Sequence, residues 1–146
     1  MGIDKLDDAA VRDILLRTRR IAVVGASAHP ARPSFGVMRF LLQQGFEVIP
    51  VNPGLAGQQI LGQPVVAGQA EAGVLDMVDV FRAPEHVGAV VEAAIRLGAR
   101  TVWMQLGVVH EPAAALARAA GLGVVMDRCP AIEWQRLGLR RGMRSP

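Results

Sequence analysis

The sequence predicts an α/β fold: a mainly parallel five-stranded sheet, doubly wound, with helices on both faces. Three observations predict it. Short β-branched apolar runs recur along the chain at Ile21–Ala26, Val48–Val51, Val74–Phe81, Thr101–Leu106 and Gly123–Met126, too short for core helices. Stretches with apolar residues at helical spacing separate them, and parallel strands need such crossover connections. Turn residues close most segments. Gly45 follows the first inter-strand helix, Gly98 the second, and Asn52-Pro53-Gly54 ends the second strand.

Element by element, residues 4–19 read as an amphipathic helix with Leu6, Ala10, Ile14 and Leu15 on one side. After the first strand, Ser34 is the expected N-cap of a helix over 35–44 that carries Phe35, Met38, Leu41 and Leu42 on one face. Residues 60–66 are expected to add one short edge strand, since Pro64 argues against a central one. Pro84 suits the first turn of a helix with Val87, Val90, Val91, Ala94 and Ile95 in register. A further helix runs over about 111–120, and a last helical turn over 132–137.

At 146 residues the chain is read as one domain spanning 1–146, with a basic tail over about 139–146. No apolar run approaches the roughly 18 residues of a membrane span, and the polar N-terminus lacks a signal-peptide pattern. Cys129 is the single cysteine, which rules out an internal disulfide and fits a reducing cytoplasm. The pI of about 10.4 reflects missing titrating groups rather than a strong field. Basic and acidic residues number 16 and 13, with no tyrosine and one lysine, Lys5. Arg17, Arg19 and Arg20, and Arg136, Arg140, Arg141 and Arg144, cluster without interleaved aromatics. They read as a solvated face or loose tail rather than a nucleic-acid site.

In such a fold ligands lie outside the carboxyl ends of the strands. Those ends carry Gly25 to Ser27, Asn52-Pro53, Phe81-Arg82, Gln105 to Gly107, and Asp127 to Cys129. Gly25 lets the chain turn at the end of the first strand, and the next helix offers free N–H groups and its positive dipole end to a phosphate. The eight residues from Ser27 to Ser34 exceed a usual βα loop and so are expected to touch a ligand.

The dinucleotide fingerprint is incomplete. The second and third glycines after Gly25 are absent, and Asn52 stands where an acidic residue would hold a ribose. There is no P-loop. His29, His86 and His110 share no ligand spacing, so no metal site is expected. Trp103 reads as core, and His110 as a helix cap. Arg128 beside Cys129 is a candidate for favouring a thiolate. No nucleophile–base pair stands out.

Ile21-Ala-Val-Val-Gly-Ala-Ser27, Val51-Asn-Pro53, Asp79-Val-Phe-Arg82, Trp103-Met-Gln-Leu-Gly107 and Asp127-Arg-Cys-Pro130, taken together, resemble the small stand-alone CoA-binding proteins. That family is similar to the CoA-binding N-terminal domain of the succinyl-CoA ligase α subunit, and the resemblance spans roughly residues 15–138. It implies a Rossmann-like domain with coenzyme A or an acyl-CoA across the strand ends. Gly25, Ser27, Ser34, Phe35 and Gly36 are then expected near the pyrophosphate, and Asn52 and Pro53 by the adenosine half. Phe81 and Arg82 fall beside the nucleotide or pantetheine arm, with Gln105 and Gly107 further along. CoA also carries a 3′-phosphate, for which Arg32 and Arg82 are the available cations.

The ligases use a second, phosphohistidine domain for which this chain has no room, so binding without catalysis is the first expectation. Its rivals are an NAD(P)-dependent oxidoreductase and the CoA-binding part of a split acyl-CoA ligase. A ligand-sensing regulator is a further class, but residues 1–20 are too few for a DNA-reading module. The expected partner is a CoA ligand, with no nucleic acid or membrane; a homo-oligomer or a protein partner is left open.

Overall fold

In the computed structural model, which describes residues 2–143, the first helix is shorter than the periodicity predicts. Asp4 accepts a hydrogen bond from the Leu6 N–H (3.0 Å), and Asp7 caps helix α1 (Asp8–Arg17) through the Ala10 N–H (2.9 Å). Then follow β1 (Arg20–Val24), α2 (Pro33–Gln43) and β2 (Glu47–Val51). The expected edge strand is instead a small antiparallel hairpin, β3 (Gln59–Ile60) and β4 (Gln63–Pro64). Leu61 and Gly62 both take positive φ at its turn, the conformation a two-residue hairpin requires. Val66 then makes a parallel bridge to Val51.

The remaining elements are β5 (Met77–Val80), α3 (Pro84–Arg96), β6 (Thr101–Met104), α4 (Glu111–Ala119), β7 (Gly123–Val125) and α5 (Pro130–Arg136). The third main strand starts later than its apolar run, because Asp76 turns to accept from the Arg19 and Arg20 N–H groups (2.9 Å each) and Val74 is 78% exposed.

Five parallel strands form the sheet in the order β2-β1-β5-β6-β7. Side chains alternate across it. Ile21, Val23, Met77, Trp103 and Val125 pack under α1, α2 and α5; Ala22, Val24, Val78, Val80, Val102 and Met104 pack under α3 and α4. The chain leaves β1 for β2 on one side and later returns to β5 on the other, so the order reverses between β1 and β5. A crevice opens outside the strand ends at such a switch point.

The basic clusters are largely committed. Arg20 pairs with Glu47 (2.6 Å) and bonds the Val74 carbonyl, and Arg136 pairs with Asp8 (2.8 Å) and Glu133 (2.9 Å). The tail reading needs correcting up to residue 143: Leu139 is buried, and the Arg141 guanidinium lies 4.1 Å from the Phe46 ring centroid. Arg144 lies outside the described residues.

Candidate functional site

Where β1 ends, Gly25 has φ +90°, and a Cβ built there would stand 2.2 Å from the Phe81 carbonyl oxygen. The chain leaving β1 lies at backbone contact with the end of the neighbouring parallel strand β5, which only glycine permits. The Gly25 N–H is used inside the fold, donating to the Val51 carbonyl (3.0 Å).

The following loop braces itself. Ser27 Oγ accepts from the His29 N–H (3.0 Å), His29 Nδ1 accepts from the Ala31 N–H (3.1 Å), and the Arg32 N–H returns to the His29 carbonyl (3.0 Å). Asn52 ties it to the next strand end, its Nδ2 donating to the Ala26 carbonyl (2.8 Å) while Oδ1 accepts from the Gly54 N–H (2.8 Å). Asn52 thus both closes the turn after β2 and holds the loop.

Ser34 is not the helix cap. Arg32 occupies that position without a side-chain bond and Pro33 is the first helical residue, because proline's fixed φ suits it and it has no N–H to satisfy. Ser34 lies one step inside, and its Oγ accepts from the Ser27 N–H (3.1 Å). The Phe35 N–H turns back to the Arg32 carbonyl (3.1 Å). Among the described residues, the Ser34 N–H has no protein partner at this helix start, and neither has the Ala28 N–H in the loop before it.

A cavity of about 430 Å³ lies on this ground. Of the residues expected from sequence, Gly25, Ser27, Arg32, Ser34, Asn52, Phe81, Arg82 and Gln105 line it. Pro53 borders an adjoining hollow shared with Gly25, Asn52, Phe81 and Arg82. Three expected residues fall elsewhere. Phe35 packs half-buried against the core with Arg39 over its ring (5.8 Å). Gly107 takes φ +81° in the turn after β6 and gives its N–H to Asp127 (2.8 Å). Gly36 faces a second cavity, and a Cβ there meets nothing within 4 Å.

That second cavity, about 590 Å³, lies between α2 and α5 and was not anticipated. It meets the first at Pro33, Gln105 and Leu106. Leu106 and Val108, on the first cavity, were missed as well, since only the fold reveals that Leu106 stays 54% exposed beyond its strand.

The chemistry of the first cavity is cationic and hydrogen-bonding. Arg32 is exposed and Arg82 half-buried; among the described residues neither guanidinium has an ion pair. The pairings of Arg82 with Asp79 or Glu85 that its position allows do not form. Asp79 is fully buried in β5, in register between Val23 and Trp103, and neither carboxylate oxygen has a partner. Desolvation pushes its pKa well above the usual carboxylate range. Gln105 is 6% exposed, with Oε1 unpartnered.

Trp103 is core, its indole N–H donating to the Arg128 carbonyl (2.7 Å), and His110 caps α4 through Nδ1 (3.1 Å from the Ala113 nitrogen). Arg128 does not serve Cys129. Its guanidinium is spent on Asp4 (2.9 Å) and Glu133 (2.6 Å), while Cys129 lies buried along the second cavity. No group of three potential metal ligands clusters among the described residues, and no helix there is long and apolar enough to cross a membrane.

Comparison with known proteins agrees with this architecture. The chain is 38% identical over 122 residues to the uncharacterized protein YneT of Bacillus subtilis (strain 168), covering 83% of this chain and 89% of that protein. A solved hypothetical protein from Pyrococcus horikoshii OT3 is 37% identical, with a TM-score of 0.90 over 95% of this chain and 97% of its own. The dinucleotide forming acetyl-coenzyme A synthetase 1 of Ca. Korarchaeum cryptofilum, solved with phosphate and ADP, shares the fold (TM-score 0.66, 20% identity) over 79% of this chain and 27% of that one. The model of the CoA binding domain matches residues 19–135, and the chain belongs to that family.

Proposed function

We propose that the chain binds coenzyme A or an acyl-CoA in the cavity beyond β1, β5 and β6, without chemistry of its own. The observation that carries this reading is the pairing of the unpartnered Ser34 N–H at the start of α2 with two uncommitted arginines around one cavity. A pyrophosphate suits that N–H and the helix dipole. Arg32 and Arg82 suit phosphate oxygens, where charge-assisted bonds are the strong ones.

Several expected residues act here at one remove. Gly25 allows the close approach of the β1 and β5 ends, while Asn52 and Ser34 hold the loop in shape. Binding alone is favoured by the lining itself, which among the described residues holds arginines and one cysteine but no histidine or carboxylate to serve as a general base. Asn52 also supplies no carboxylate for an NAD ribose.

Thermal melting with CoA and with NAD tests the reading. CoA at a hundredfold excess over its Kd is expected to add about 2.7 kcal/mol, which is several degrees of Tm for a domain of this size. Arg82→Ala is expected to leave the unliganded Tm in place and cut CoA affinity at least tenfold, since a charge-assisted bond contributes about 1.5–3 kcal/mol. Stabilisation by micromolar NAD with none by millimolar CoA would replace this reading by the oxidoreductase one.

A further inference from the structure

We infer that the apolar groove between α2 and α5 holds the acyl chain of an acyl-CoA thioester whose nucleotide end sits in the strand-end cavity. This rests on the reading of that cavity as a CoA site.

Continuity is the first argument. Pro33, Gln105 and Leu106 border both cavities, so a flexible arm leaving the first has a direct way into the second over these side chains. The second argument is complementary chemistry along that way. The two cavities meet at Gln105, nearly buried, with an Oε1 acceptor that has no donor among the described residues. The pantetheine arm carries secondary amides, and one amide N–H there would supply the missing donor.

The change in character beyond this junction is the third argument. The first cavity offers two arginines and an unpartnered N–H; the second is walled by Val37 and Phe40 of α2 and by Ala131 and Ile132 of α5, with Arg39, Gln43 and Gln135 also lining it. Leu106 and Ile132, 54% and 51% exposed, are two of the few large apolar side chains left in solvent, and both border this groove. Isolated exposed apolar residues are ordinary, but two converging on one cavity mark a surface that apolar matter covers. An alkyl chain joined to the pantetheine sulfur meets both requirements, a polar arm first and an apolar end after it.

The test is a titration series of CoA, acetyl-, butyryl-, hexanoyl- and octanoyl-CoA followed by calorimetry on the full chain. Full burial of a methylene raises affinity about fourfold, and a groove open on one side is expected to give about half that in free energy, or about fourfold per two-carbon step. Ile132→Gln, at a half-exposed position that no core packing depends on, is expected to leave the Kd of CoA unchanged and to flatten the series. Gln43→Leu, on the opposite wall, is expected to steepen it. A flat series in the wild type, with CoA itself binding, overturns this inference and leaves the CoA reading standing. A slope that neither variant alters overturns it too, because the chain then lies elsewhere. Tight binding of octanoate without CoA would assign the groove to a free fatty acid. Failure of CoA and all its thioesters to bind removes both readings.

Discussion

Beyond the carboxyl end of β7, the Arg128 guanidinium donates to both oxygens of Asp4 (2.9 and 3.0 Å), to Glu133 (2.6 Å) and to the Leu6 carbonyl (3.0 Å). Asp4 also accepts from the N–H groups of Leu6 and Met126, and Glu133 hands the network on to Arg136 and Asp8. Beyond β1, β5 and β6, in contrast, Arg32, Arg82, the Ser34 N–H and Gln105 Oε1 are left without protein partners among the described residues. The two regions use the same chemical groups at the same edge of the sheet. In one the protein supplies the partners itself; in the other it withholds them, and on the proposed reading the free valences are what CoA would find.

The largest expected effect separates them directly. Arg128→Ala would strand Asp4, whose side chain is 0% exposed, without its cation, and would leave Glu133, 8% exposed, with Arg136 alone. Breaking a buried pair from one side costs about 3–5 kcal/mol, readable as a lower denaturant midpoint. The CoA-dependent rise in Tm is expected to survive in whatever protein remains folded, the mirror image of Arg82→Ala. A stability loss below about 1 kcal/mol would mean that this corner is as open as the crevice.

The pH dependence sharpens the same contrast. At Asp4 and Glu133, burial alone would raise the pKa, but hydrogen bonds from Arg128, from backbone N–H groups to Asp4 and from Arg136 to Glu133 outweigh it, and both lie below the ordinary range. Their contribution is present above the unfolded-state pKa and is lost as pH falls through the folded one. Asp79 has the opposite sign. Burial without any partner raises its pKa, so above the ordinary carboxylate value the folded chain keeps a proton that the unfolded chain has released. Stability from this group therefore falls with rising pH until the folded pKa is reached, by up to about 1.4 kcal/mol per pH unit. Asp79→Asn is expected to remove that fall while leaving the acid limb set by Asp4 and Glu133 intact. Parallel stability profiles for the two proteins, measured by denaturation from mildly acid to alkaline pH, would show that Asp79 already ionises in the folded state.

What the sequence made legible was local. Gly25 after an apolar run, Pro53 and Pro84 at turn and helix starts, and the alternation of strands with helices are decided by φ preferences and side-chain period, which neighbours in sequence determine. The first cavity was therefore largely anticipated, because the switch-point rule turns strand ends into an address. The groove between α2 and α5 was not, since it depends on those two helices sharing one face of the sheet. Nor was the Asp4–Arg128 pair, whose members lie 124 positions apart. Helix phase misled in a smaller way. With Ser34 as the cap, Gly36 falls in the first turn, beside the phosphate; with Pro33 as the first helical residue it moves deeper into α2 and onto the groove.

Gly36 gives the smallest predicted effect, and it discriminates between those two phases. Glycine inside a helix costs about 0.5–1 kcal/mol relative to alanine, because the unfolded chain gains freedom and no side chain packs. At Gly36 the backbone is helical and a new Cβ meets no atom within 4 Å, so nothing offsets the gain from replacing it. Gly36→Ala is expected to raise stability by about that amount, a few degrees in Tm, and to keep the CoA-induced shift, since Gly36 lines the groove and not the strand-end cavity. If instead the Gly36 backbone meets the pyrophosphate closely, the methyl group would intervene, and the CoA shift would shrink while the unliganded protein still gains stability. Melting curves with and without CoA, run on the wild type and this one variant, decide whether the boundary between the strand-end cavity and the groove runs where α2 begins or one turn further along it.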